Sequence, residues 1–231
     1  MKYVLIFLFP CLLLAQSGYD RAYATFDKEK NEQARLVNEK LLKTNPNHLK
    51  ALENLGDIAG LNKNWDKALG YYGKLKSLKP NEANYHYKYG GALGLKALEV
   101  NKFKALGMIS DIKGSFEKAI QLDAKHVEAR WALVELYLKL PGIVGGSETK
   151  AVQYSNELLA ISAVDGYLSR GRIEEYFDRY KAAESYYKKA IAVGGSKLTY
   201  QTLANLYEEK MGTPEKARLL LEEFENKKTI N

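Results

Sequence analysis

The sequence predicts an all-α protein in which helical hairpins repeat along the chain. Alanines recur at a separation of 34 residues, as from Ala34 to Ala68, and a second pair near the C-terminus shows the same separation. Pro46 and Pro80 are also 34 residues apart, and proline blocks the continuation of a helix. Only 5 of the 231 residues are proline, and helix-favouring Leu, Ala, Lys and Glu are abundant. A period of this length is typical of stacked helical hairpins.

The best-formed unit places small residues where the two helices of a hairpin cross. Gly56 and Ala68 are 12 positions apart, and Gly171 and Ala183 repeat that separation. Tyr72 is expected to project from the second helix and fill the space toward the next hairpin. The whole unit reads Leu52-x2-Leu55-Gly56-x2-Ala59, then Ala68-x3-Tyr72-x2-Leu75, then Pro80.

This unit resembles the tetratricopeptide repeat, with Leu52 where the family commonly has Trp and Ala59 where it commonly has Tyr. The resemblance implies a right-handed α-solenoid of about six hairpins, each burying its apolar face against its neighbours. The hairpins are expected over residues 22–46, 52–80, 86–124, 130–163, 167–195 and 201–224.

Two hairpins are longer than the repeat. In the third, ten residues are added between Gly90 and Phe116, and apolar spacing continues through them, which predicts two longer helices instead of a longer loop. In the fourth, five extra residues fall around Pro141 to Gly146.

The glycine-rich stretch from Leu140 to Ala151 raises the question of a phosphate-binding loop. A Walker loop needs a lysine after its last glycine, but Gly146 is followed by Ser147 and Glu148. A structural turn explains the residues better, because Pro141 stops a helix, the glycines permit unusual backbone angles, and Ser147 caps the next helix. A Pro-Gly-x-x-Gly-Gly-Ser turn is similar to that of secreted bacterial tetratricopeptide proteins and of regulators of microtubule dynamics.

The first 15 residues predict a secretory signal peptide, which leaves residues 16–231 as the repeat domain. Lys2 provides a positive start, and the apolar run from Tyr3 to Ala15 is shorter than the roughly 20 residues that span a bilayer. Cys11 is the only cysteine, and Pro10 before it argues against lipoprotein anchoring. We therefore expect an exported protein, periplasmic or secreted, with no transmembrane segment in the mature chain.

Catalysis, metal binding and cofactor binding are not predicted. The three histidines, His48, His86 and His126, lack the close spacing of a zinc motif, and no common hydrolase motif is present. The net charge of +7 is spread among interspersed acids and lysines, whereas nucleic-acid binding needs a concentrated basic stripe. We therefore expect neither an enzyme nor a nucleic-acid-binding protein.

The family resemblance implies that the first helices of the hairpins line a concave binding face. Tyr87 and Trp131 would anchor a peptide there, although both rings could instead pack against the next hairpin. Acidic residues on this face favour a neutral or basic partner. The candidate binding residues are Asn84, Tyr87, Gly91, Glu128, Trp131, Glu135 and Arg172.

The sequence thus predicts an exported scaffold that binds a protein or peptide segment and assists an envelope or secreted complex. Two alternatives remain open. One is a pocket for a small apolar ligand in the enlarged third and fourth hairpins, where Gly90, Gly91 and Gly94 remove side-chain bulk. The other is a purely structural spacer.

Overall fold

The computed structural model describes residues 28–230, and every regular element in that range is a helix. A 3-10 turn, Gly142–Val144, lies between the two helices of the predicted fourth hairpin, and a π-helical turn, Leu206–Lys210, lies inside the last hairpin. The helices are α1 (Lys28–Thr44), then α2 (Leu49–Leu61) with α3 (Trp65–Leu78), α4 (Ala83–Glu99) with α5 (Lys102–Leu122), α6 (Val127–Lys139) with α7 (Glu148–Ile161), α8 (Ala163–Tyr176) with α9 (Tyr180–Gly194), and α10 (Lys197–Asn205) with α11 (Pro214–Ile230).

The all-α hairpin fold is confirmed. Five complete hairpins follow one another over residues 49–230, and α1 corresponds to the second helix of the predicted first hairpin. The first helix of that hairpin and the predicted signal peptide, residues 1–15, lie outside the described residues. Within residues 28–230, no helix combines the length and the apolar character needed to cross a bilayer.

The chain forms two compact units, the first ending at Ala132 and the second beginning at Leu133, within α6. The core of the first unit includes Leu52, Tyr72 and Leu75, which are at most 2% exposed. The second unit buries a set of the same kind on α8, α9 and α10, namely Ile173, Tyr187, Ala190 and Leu203. Each unit therefore has apolar residues of its own to bury.

Glycines allow the two helices of a hairpin to cross closely, as the sequence predicts. A Cβ atom on Gly56 would lie 2.5 Å from Cε1 of Tyr72, and one on Gly171 would lie still closer to the ring of Tyr187. Both tyrosine rings are 1–2% exposed. Each ring fills the crossing inside its own hairpin. The sequence instead predicts that Tyr72 fills the space toward the next hairpin.

The third hairpin gains its extra length in both helices, which confirms the prediction. Helices α4 and α5 contain 17 and 21 residues, against 13 and 14 in α2 and α3. Only Val100 and Asn101 connect them. The Asn101 side chain accepts a hydrogen bond from the backbone N–H of Lys104 at 3.0 Å and so starts α5.

The stretch from Leu140 to Ala151 forms a compact turn between α6 and α7. Gly145 has a φ of 102°, which favours glycine, whereas Gly146 is needed because a side chain would collide with the carbonyl oxygen of Leu140. Gly142 meets neither condition, so the expectation of unusual angles applies to Gly145 alone. The Ser147 hydroxyl accepts from the backbone N–H of Lys150 at 3.2 Å, which is the predicted helix cap.

Candidate functional site

The candidate binding residues divide between the two units. Asn84, Tyr87 and Gly91 follow one another at intervals of three and four residues on α4, so they share one face of that helix. Each of them is half-buried. The remaining candidates are Glu128 and Trp131, in the part of α6 that belongs to the first unit, and Glu135 and Arg172, in the second unit.

The aromatic candidates are partly engaged with the chain itself. The Tyr87 ring centroid lies 5.1 Å from that of His126 and 6.0 Å from that of Phe116. Trp131 is half-buried, and Glu128 is exposed. Tyr87 therefore packs against the start of α6, which is the alternative that the sequence left open. A role of Tyr87 in binding stays a prediction.

A lysine that the sequence analysis did not select joins α2 to α4. The Nζ of Lys88 lies 2.8 Å from Oε1 of Glu53 and 2.7 Å from Oδ1 of Asp57. Only 12% of the Lys88 side chain is exposed. Lys50 adds a second contact, with its Nζ 3.2 Å from Oε2 of Glu53. Two carboxylates and two ammonium groups therefore form a charge-balanced cluster on the first helices of successive hairpins.

One carboxylate of this cluster, Glu53, is kept charged, and the other, Asp57, is held in place by a hydrogen bond. Burial opposes ionisation of Glu53, but the hydrogen bonds and charges of Lys88 and Lys50 outweigh it and lower the pKa of Glu53 below its ordinary value. The Tyr72 hydroxyl, reaching across from α3, donates to Oδ1 of Asp57 at 2.6 Å. The Tyr72 ring thus fills the crossing over Gly56 while its hydroxyl orients Asp57.

The second unit contains a related but more buried cluster. The Nε of Arg172 donates to Oε1 of Glu135 at 2.9 Å, and the two side chains are only 4% and 6% exposed. Lys139 places its Nζ 3.1 Å from the other oxygen of Glu135, off the hydrogen-bond direction, so it contributes charge and not a directed bond. The Tyr187 hydroxyl donates to Oε2 of Glu175 at 2.7 Å. Glu135 and Arg172 are therefore brought together as partners of each other.

The glycines of α4 differ in what surrounds them. A Cβ atom on Gly90 would lie 2.9 Å from Cβ of Ser115 and 3.0 Å from the Phe116 ring, and one on Gly94 would lie 3.8 Å from Ile112. One on Gly91 would meet no described atom within 4 Å. Packing inside the hairpin accounts for Gly90 without an apolar ligand, whereas a Cβ on Gly94 would make only an ordinary contact and one on Gly91 would meet open space.

The histidines start or brace helices. The Nδ1 of His48 accepts from the backbone N–H of Ala51 and that of His126 from Ala129, each at 3.2 Å. The Nε2 of His86 lies 2.8 Å from the carbonyl oxygen of Pro80 and donates to it. Across residues 28–230 no three His, Cys, Asp or Glu side chains are grouped as a metal ion would require.

Both clusters follow a spacing of opposite charges along the sequence. Lys88 and Asp57 are 31 residues apart, and Arg172 and Glu135 are 37 apart. These separations equal the 34-residue repeat minus or plus about one helical turn, so opposite charges at such spacings meet on the first helices of successive hairpins.

Solved structures of tetratricopeptide repeat proteins are similar to this chain. The Thermus thermophilus protein TTC0263 superposes with a TM-score of 0.63 at 16% identity, covering 87% of this chain and 96% of that one. PilW, a type IV pilus biogenesis factor, gives 0.62 at 20% identity and covers 95% and 90%. A Parabacteroides merdae tetratricopeptide repeat protein gives 0.59 at 18% identity and covers 90% and 78%. No protein-family model matches the sequence, and no curated protein matches it closely.

Proposed function

We propose that this chain, which has the tetratricopeptide repeat fold, is a non-enzymatic scaffold that binds a protein segment on the face shared by α2 and α4. Fold alone does not assign a function, so the proposal rests on that face. We call it the α2/α4 face and define it by Lys50, Glu53, Asp57, Asn84, Lys88 and Gly91.

The open position of Gly91 on the same face of α4 as Asn84 and Tyr87 is the observation that carries the proposal. Glycine inside a helix costs about 1 kcal/mol relative to alanine. At Gly90 that cost is offset because the helices of the hairpin approach closely, but at Gly91 no described atom would come within 4 Å of a Cβ. The space beside the half-buried Gly91 suits the close approach of a segment from another protein, next to Asn84 and Tyr87 on the same face of α4.

The charges of the α2/α4 face support a neutral or basic partner. Lys88 already contacts Glu53 and Asp57, and the Tyr72 hydroxyl further occupies Asp57. An acidic segment would have to compete with these two carboxylates for Lys88. A neutral segment leaves the cluster intact, and a basic one would also meet the exposed Glu128 on α6.

Replacing Gly91 with leucine is expected to separate binding from stability. The side chain would fill the space open to a bound segment and reduce affinity at least about tenfold, a loss of about 1.4 kcal/mol. Stability should be equal or higher, because leucine is a better helix former than glycine. Peptides selected from a random displayed library on the wild-type protein supply the probe, and fluorescence polarisation measures their binding.

Gly114→Leu is the matched control, since Gly114 is an exposed glycine inside α5 with no described atom within 4 Å of its Cβ position. It should bind the selected peptides as the wild type does. Selection of no peptide, or equal loss of binding in both variants, would count against the α2/α4 face. Strongly acidic selected peptides would contradict the proposed partner charge.

We further propose that the protein acts after export, in the cell envelope or outside the cell, where it assists a protein complex. Lys2 and the apolar run from Tyr3 to Ala15 support this proposal. N-terminal sequencing of the protein from its native cells should begin at Gln16, and a chain that still begins at Met1 would argue against cleavage.

A further inference from the structure

The lengthened third hairpin ends in a projecting tip. Lys96 of α4 pairs with Asp66 in the first turn of α3, so Lys96 lies beside the connection between α2 and α3 of the preceding hairpin. Residues 97–106, which we call the α4–α5 tip, extend beyond that connection. Phe103 is 88% exposed there, and Leu98 and Leu106 are 44% and 45% exposed. Three apolar side chains therefore lie in water around a connection of two residues.

The charges of the α4–α5 tip are also unfavourable in isolation. Lys102 and Lys104, both exposed, lie in the first turn of α5, where the positive end of the helix dipole disfavours cations. The first turns of α3, α7 and α8 carry an acid, whereas α5 shares the lack of one with α2, α4, α9 and α10. Glu99 is the single acid of the tip, so two lysines outnumber it.

We propose that the α4–α5 tip docks on an anionic lipid surface, with Phe103 inserted among the acyl chains and Lys102 and Lys104 at the headgroups. At such a surface the apolar side chain leaves water, and the lysines at the positive helix end meet anionic headgroups, so both features become favourable. Lysine suits this position because its aliphatic stem follows the apolar layer while its ammonium group stays at the interface. A point that projects beyond its neighbouring hairpin can reach a flat bilayer.

Site-specific fluorescence tests the proposal in the full chain. Phe103→Trp places a reporter at the tip, and Leu219→Trp places one at an apolar residue of α11 that is 52% exposed. Vesicles of phosphatidylglycerol with brominated acyl chains should quench the fluorescence added at position 103 and leave that at 219 unchanged. Vesicles of brominated phosphatidylcholine should quench neither. The apolar run at residues 3–15 is present in both proteins, so it cannot produce a difference between them.

The lysines provide the second arm of the experiment. In the Phe103→Trp background, Lys102→Gln with Lys104→Gln should raise the vesicle concentration for half-maximal quenching about 30-fold, at roughly fivefold per charge. Lys79→Gln with Lys125→Gln removes two exposed lysines outside the tip and should change the vesicle concentration for half-maximal quenching little. Equal effects of the two pairs would overturn the proposal.

Two other results would also overturn it. No quenching at position 103 by anionic vesicles excludes insertion. A blue shift in the emission of the Phe103→Trp protein that depends on protein concentration without lipid would assign the tip to contact with a second copy of the chain. Neither result bears on peptide binding at the α2/α4 face, which is assayed separately without vesicles.

Discussion

Replacing Glu135 with alanine is expected to lower the free energy of unfolding by about 3–5 kcal/mol, the usual cost of removing one partner from a buried ion pair. The loss is large because Arg172 is only 4% exposed and would keep its charge. The remaining carboxylate of the cluster, Glu175, has its Oε1 3.9 Å from Nη1 of Arg172, too far for a hydrogen bond. Urea denaturation followed by circular dichroism measures the change.

An exposed ion pair provides the comparison for this prediction. Oε1 of Glu148 lies 2.5 Å from Nη2 of Arg179, but the two side chains are 43% and 42% exposed. Glu148→Ala should therefore cost about 1 kcal/mol or less. Replacing Glu135 and Arg172 together with methionine should recover much of the loss, because the deeply buried guanidinium of Arg172 is then removed together with its partner. A Glu135→Ala protein as stable as the Glu148→Ala protein would show that the buried cluster contributes little.

Replacing Gly171 with alanine is expected to destabilise the fold by about 2 kcal/mol, although alanine is the better helix former. The new methyl group would overlap the Tyr187 ring. That ring cannot move away easily, because it is 1% exposed and its hydroxyl is bonded to Glu175. Helices α8 and α9 would have to separate to accept the methyl group, and thermal or urea unfolding detects the cost.

Gly114→Ala tests whether this effect comes from packing and not from the loss of glycine itself. No described atom would lie within 4 Å of its Cβ, so alanine should raise stability by up to about 1 kcal/mol. Changes of opposite sign at the two positions are the expected result. A Gly171→Ala protein at least as stable as the wild type would mean that the α8 and α9 crossing has room to spare.

The hairpin architecture could be predicted from the sequence because its rules are local. The close crossing of two helices at Gly56 and at Gly171 follows from the spacing of small residues within a single hairpin. The added residues of the third hairpin kept a helical apolar pattern, so they were placed in longer helices, as found. The end of α6 could be recognised from Pro141, for the same local reason.

The contents of the candidate site were harder to predict, because they depend on which residues of successive hairpins face each other. Lys88 follows Tyr87 directly, and the family geometry points to Tyr87 and not to the lysine that bonds to Glu53 and Asp57. Glu135 was expected to face a ligand, whereas the structure buries it against Arg172. Side-chain reach and burial decide these cases, and neither is visible in a spacing pattern.

The two enlarged hairpins show that this fold can grow in two independent ways. In the third, the helices lengthen and their connection stays short; in the fourth, helices of ordinary length are joined by a longer turn. That turn is held at its base, where the Ser147 amide bonds to the Tyr137 carbonyl at 2.9 Å, while Ile143 at its apex is 95% exposed. Selection can therefore change the reach of a hairpin or the apex of a turn without altering the crossing that stabilises it.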